Sequence, residues 1–150
     1  MPDRAGYSQR SLVEKLGIKE GHRLAIVEPP PGFYATLGSL ADGVRPVRSS
    51  SQGIDVIILF AREADGLSRS IAKIKRSLAV SGMLWVCWPK KASAIACDLD
   101  ENIVRGVGLA AGLVDVKICA VDATWSGLKF VYRLRDRAKA ATLRRERQRS

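Results

Sequence analysis

Val114-Asp115-Val116-Lys117-Ile118-Cys119-Ala120-Val121-Asp122-Ala123-Thr124-Trp125-Ser126-Gly127-Leu128-Lys129-Phe130-Val131-Tyr132-Arg133 holds two apolar runs on either side of a short turn. Val114 to Val121 and Leu128 to Arg133 are rich in β-branched and aromatic residues, which suit the pleated surface of a strand. The stretch between them, Asp122 to Gly127, is short enough to make the pair an antiparallel hairpin. Parallel strands need long crossovers, so a hairpin here places one antiparallel strand in the sheet that precedes it.

Upstream the pattern alternates. Met83-Leu84-Trp85-Val86-Cys87-Trp88, Val56-Ile57-Ile58-Leu59-Phe60 and Leu24-Ala25-Ile26-Val27 are continuous apolar runs, as expected of strands covered on both faces. Between them lie segments with helical spacing. Phe33, Leu37 and Leu40 recur on one face up to Asp42-Gly43, and Leu67, Ile71, Ile74 and Leu78 recur on another until Ser81-Gly82. Ser11-Leu12-Val13-Glu14 has the spacing of a capping box, with Gly17 ending that short helix. Asp98 with Glu101 is predicted to cap a further helix, with Asp100 as a second capping residue; the helix is weakened by Gly106 and Gly108 and closed by Gly112. Val44 to Gly53, with Pro46 and a serine run, allows at most one edge strand. Helices alternating with strands imply right-handed crossovers. The predicted architecture is an α/β, three-layer, mostly parallel sheet with helices on both faces and a C-terminal antiparallel hairpin. Residues 1–134 are expected to form this single domain and residues 135–150 a basic tail.

Lys15-Leu16-Gly17-Ile18-Lys19, then Leu84-Trp85-Val86-Cys87-Trp88-Pro89-Lys90-Lys91, then Gly112 through Asp122 and Trp125-Ser126-Gly127-Leu128-Lys129 together resemble a family of small, functionally uncharacterised bacterial proteins. That family has a reduced class I methyltransferase-like, Rossmann-like fold, and the resemblance runs from about Tyr7 to Arg133. It implies the fold and no activity. Working methyltransferases of this class carry a glycine-rich turn after the first strand and an acidic residue after the second. Here the turn is Glu28-Pro29-Pro30-Pro31-Gly32-Phe33, in which three prolines remove three amide donors and add bulk. The stretch matching the second strand holds Arg45 and Arg48 and no carboxylate. No cofactor is therefore predicted, and S-adenosylmethionine in the usual pose is disfavoured.

The chain has 150 residues, enough for one domain with a substantial core. Its three cysteines, Cys87, Cys97 and Cys119, form no closely spaced pair, and with a lone histidine, His22, they make no zinc set; no metal is expected. No apolar run reaches the length of a membrane span and the N-terminus lacks the apolar stretch of a secretory leader, so a cytoplasmic protein with no membrane partner is expected. The formal charge is +10. Arg135, Arg137, Lys139, Arg144, Arg145, Arg147 and Arg149, against Asp136 and Glu146, put half of that excess in the last sixteen residues. Such a tail offers nucleic-acid binding through phosphates, although it has no aromatic residue to stack on bases, and a solvated extension is the plainer expectation.

Ligands of open α/β sheets bind outside the carboxyl ends of the parallel strands. That edge is expected to collect Glu28, Pro29, Ala61, Arg62 and Pro89, together with a ligand-binding set of Lys90, Lys91, Asp122, Trp125 and Ser126. Two ammonium groups, a carboxylate, a hydroxyl and an indole suit a small anionic ligand. Lys90 or Lys91 pairing with Asp122 while Trp125 packs over the hairpin is the purely structural alternative. The function expected is a non-catalytic or minimally catalytic protein that binds a small anionic ligand or a protein partner at this edge. A methyltransferase with an altered cofactor site, or a nucleic-acid-associated protein acting through the tail, are the alternatives. Catalytic residues and oligomeric state are not legible.

Overall fold

A computed structural model describes residues 10–137. Six strands form one sheet: β1 (Arg23–Val27), β2 (Arg45–Pro46), β3 (Ile54–Phe60), β4 (Leu78–Pro89), β5 (Leu113–Ala120) and β6 (Trp125–Tyr132). Their order is β2-β1-β3-β4-β6-β5. The pairs β1–β2, β1–β3 and β3–β4 are parallel, whereas β6 runs antiparallel to both neighbours. The hairpin therefore folds its second strand inward: β6 fills the space between β4 and β5 and leaves β5 at the edge.

The helices α1 (Leu12–Lys15), α2 (Phe33–Leu37), α3 (Ala64–Ile74) and α4 (Glu101–Ala110) cover the sheet. The period-2 alternation of the strands separates two cores. Ile57 and Leu59 of β3 with Leu84, Val86 and Trp88 of β4 pack under Leu67, Ile71 and Ile74 of α3 and Val104 of α4. Val56, Ile58 and Phe60, with Trp85 and Cys87, pack under Leu12 and Val13 of α1 and Phe33 and Leu37 of α2. Continuous apolar runs thus read correctly as strands sandwiched between two helical layers. On the α1/α2 side the buried Trp85 indole N–H donates to the Leu16 carbonyl at 2.9 Å, tying β4 to the end of α1. The capping box at Ser11 and Glu14 forms as expected.

Four local expectations need correction. The helix from Phe33 stops at Leu37 instead of running to Asp42, because Gly38 turns the chain with φ 79° and leaves Leu40 exposed. Leu78 is not on α3: the helix tightens into a 3₁₀ turn at 75–77 and Leu78 opens β4, paired with Ile54. Gly82 accordingly ends no helix. It sits inside β4 beside the register shift between Ile54 and Val56, where the Ile54, Ala79 and Asp55 carbonyl oxygens would stand only 2.8–3.0 Å from a β-carbon. Asp98 does not cap α4. Asp100 does, accepting from the Ile103 N–H at 2.8 Å, while the Asp98 carboxylate crosses to accept from Ala64 N–H in the first turn of α3.

The chain from 134 to 137 is helical and begins with the exposed Leu134. The expected tail beyond it, from 138 onward, lies outside the described residues, as does the polar start over 1–9. Among the described residues no helix is long and apolar enough to cross a membrane, and no three His, Cys, Asp or Glu side chains gather in a metal-binding group.

Candidate functional site

β1, β3 and β4 run the same way, so the turns that leave β1 and β3 emerge side by side at the carboxyl edge. Glu28, the first residue past β1, adopts φ 57°, a left-handed conformation that costs an L-residue roughly 1–2 kcal/mol. It redirects the chain into Pro29-Pro30-Pro31. The Phe33 N–H then donates to the Pro30 carbonyl at 3.1 Å, with Gly32 at φ 83° and ψ −2°. Proline followed by glycine in that geometry is a type II turn, which explains the residue choice at both positions. After β3, Ala61-Arg62-Glu63 leads directly into α3. Asp98 pins this junction from the far side, since its backbone N–H donates to the Arg62 carbonyl as its carboxylate accepts from Ala64.

Between these two turns lies a cavity of about 520 Å³. Phe60, Leu67, Ile95 and Trp125 with the prolines give it apolar walls; Glu28, Arg62 and Glu63 stand exposed at its rim, and Gly66 and Ser70 of α3 complete it. The aromatic side is a chain of edge-to-face contacts. Trp125 meets Phe60 at 5.1 Å between ring centroids, and Phe60 meets Phe33 at 4.7 Å. Such pairs hold ring orientation beyond what area burial alone does. No hydrogen bond or ion pair among the described residues engages the side chains of Glu28, Arg62 or Glu63. Their charged heads are available to a ligand.

Glu28, Pro29, Ala61 and Arg62 stand where the topological rule puts them. Of the five residues expected to bind ligand, Trp125 alone lines this cavity; Lys90, Lys91, Asp122 and Ser126 do not. The physical reasons are local. The Lys90 N–H donates to the Thr124 carbonyl at 2.8 Å and its ammonium donates to the Asp122 carbonyl, also at 2.8 Å. This lysine therefore fastens the hairpin mouth to the end of β4. It meets the backbone oxygen of Asp122 and not its carboxylate, so the Lys90–Asp122 ion pair of the structural alternative does not form. That carboxylate accepts from the Thr124 and Trp125 N–H groups, both at 2.8 Å, and sets the turn that aims Trp125 inward. Lys91 opens an exposed 3₁₀ turn over 91–93. Ser126 follows Trp125 on β6 and so faces the opposite side of the sheet.

Phe60, Leu67, Ser70 and Ile95 escape a reading based on loop residues. Phe60 and Leu67 look like core, and Ser70 enters because the short β3–α3 connection brings two turns of the helix to the edge. Ile95 is carried inward after Ala94, whose φ of 65° reverses the chain. That reversal has no sequence correlate, since an alanine disfavours the left-handed conformation it adopts here.

Several solved structures similar to this chain are methyltransferases. A TehB-like SAM-dependent methyltransferase from Corynebacterium glutamicum aligns with 81% of this chain and 85% of its own at 13% identity and a TM-score of 0.53. A SAM-dependent methyltransferase from Aquifex aeolicus aligns with 79% of this chain and 86% of its own at 14% identity and a TM-score of 0.57. A magnesium protoporphyrin IX methyltransferase from Synechocystis PCC 6803, solved with bound SAM, covers 81% of this chain and 74% of its own at 11% identity and a TM-score of 0.55. At such identities the likeness establishes the methyltransferase-like, Rossmann-like fold. No curated protein matches the sequence. The model of the family described as protein of unknown function (DUF3052) matches residues 47–134, more than half of the chain, and the chain belongs to that family.

Proposed function

We propose that this protein is a ligand-binding member of the methyltransferase-like fold, non-catalytic or minimally catalytic, whose ligand is a small molecule with an apolar body and an acidic group. The carrying observation is the cavity at the carboxyl edge, apolar within and charged only at its rim. An apolar body would lie on Trp125, Phe60 and the prolines. Its acidic group would meet the guanidinium of Arg62 at the rim. Glu28 on the other wall suits a cationic substituent.

S-adenosylmethionine fits this lining poorly. Pro29, Pro30 and Pro31 offer no N–H to its amino-acid end, and Arg45 with Arg48 stands near β2 in place of a ribose-binding carboxylate. The test is native mass spectrometry of protein purified without added ligand, followed by calorimetric titration. A small molecule retained by the natural protein and lost from Trp125→Phe and Arg62→Gln variants that remain folded is the expected result. Binding of S-adenosylmethionine at micromolar concentration, which is about −8 kcal/mol, would overturn this reading and favour an enzyme with an altered cofactor site.

A further inference from the structure

We propose that the sheet face around Lys19, Lys117 and Lys129 is a docking surface for the phosphate backbone of a nucleic acid. Lys117 of β5 and Lys129 of β6 are direct cross-strand partners. Like charges placed opposite each other on adjacent strands destabilise a sheet. Lys129 shares its face of β6 with Trp125 and Gly127, on the α1/α2 side, where Lys19 follows the end of α1. Burial pushes the Lys129 ammonium below its ordinary value, and the charges of Lys117 and Lys19 push it the same way. Three cations therefore converge on one half-buried centre.

No ion pair among the described residues engages them. Glu14 of α1 turns back to the Ser11 N–H and hydroxyl. Asp115, the carboxylate on β5, is held by Arg105 of α4 at 2.9 Å on the other face. A chain that keeps an unpaired lysine pair on a sheet face has an arrangement stabilised when an external anion arrives.

The shape of the patch points to an extended anion. Lys19 and Lys117 are exposed, and none of the three lysines lines the cavity, so no enclosure is built here for a small ion. A row of phosphates, which brings repeated charge across an open surface, matches it. The charge of the whole chain agrees: 25 basic against 15 acidic residues, with the basic run of 135–150 starting three residues beyond the end of β6. Trp85, the partner of Lys129 on β4, is fully buried and cannot stack on bases, so binding would follow the backbone without reading sequence. The surface is independent of the cavity ligand, and either reading can fail alone.

The experiment is fluorescence anisotropy of a labelled duplex of about 20 base pairs with the full chain, titrated between about 50 and 200 mM salt, the range over which phosphate contacts show themselves. Lys19→Gln/Lys117→Gln/Lys129→Gln is compared with Arg69→Gln/Lys73→Gln/Arg76→Gln, which removes the same charge from exposed positions of α3 and the turn after it. The expected result is that the lysine triple reduces the slope of log affinity against log salt by about 2–3, at about 0.9 for each phosphate left without its lysine. The α3 triple should leave the slope nearly unchanged. The lysine triple should also melt no lower than the natural chain, because it relieves a repulsion. Absence of duplex binding at the lowest salt, equal loss from both triples, or tighter binding to a poly-glutamate peptide than to the duplex would each overturn the proposal.

Discussion

Replacing Gly108 with alanine sets two effects of known sign against each other. In the interior of α4 an alanine is favoured over glycine by about 1 kcal/mol, because glycine loses more backbone freedom. Gly108 is buried, however, and its missing side chain is where α4 touches the sheet. A β-carbon there would overlap the Phe130 ring, 2.6 Å from Cδ1 and nearer still to Cε1 and Cζ. Phe130 is fully buried in the core shared with Val104, Leu113 and Tyr132, so the ring has no room to retreat. Overpacking of this kind costs about 1–3 kcal/mol, and overlap with a whole ring edge belongs at the upper end. The net expectation is a loss of about 2 kcal/mol, or roughly 4–8 °C in Tm for a chain of this size. Gly106, two residues earlier on the exposed face, has open space within 4 Å of the position a β-carbon would take. Gly106→Ala should therefore gain about 0.5–1 kcal/mol. Urea denaturation followed by far-ultraviolet circular dichroism measures both, with an unchanged m-value as the check that only stability moved. Phe130→Leu should rescue part of the Gly108→Ala loss, since it removes the clashing edge. The reasoning fails if Gly108→Ala is as stable as Gly106→Ala.

Two further substitutions probe other joints of the fold. Arg105 holds the Asp115 carboxyl below its ordinary range, chiefly through their hydrogen bond, so the native state binds fewer protons than the unfolded chain in that range. Its contribution is present above the ordinary carboxylate pKa, about 4, and disappears as pH falls through the lowered native value. Asp115→Asn should thus lower stability at pH 7, with the gap to the natural chain closing in acid; thermal melts at pH 7 and pH 3 decide it. Trp85→Phe removes the donor to the buried Leu16 carbonyl and should cost about 1–3 kcal/mol in urea denaturation; an unchanged midpoint would show that α1 does not depend on this bond.

What the residue order alone determined follows from periodicity. Uninterrupted apolar runs such as Val56 to Phe60 become strands buried on both faces, and the short turn after Val121 makes the last two strands a hairpin, because both outcomes depend only on nearby residues and on which groups water must leave. The carboxyl edge as the place of the cavity, with Glu28, Pro29, Ala61, Arg62 and Trp125 there, follows from strand direction, which the connections dictate. Choices that depend on a partner distant in sequence lay beyond reach. Leu78 and Gly82 read as a helix end until Ile54 supplies a strand for them to pair with. Asp98 reads as the cap of its own helix until the first turn of α3 offers an unpaired N–H. Lys90 and Asp122 read as facing charges, yet the hairpin backbone takes up one as a donor and the other as an acceptor. A polar side chain is committed by whichever unsatisfied group lies within hydrogen-bond distance in space, and that distance is set only when the sheet closes β6 between β4 and β5.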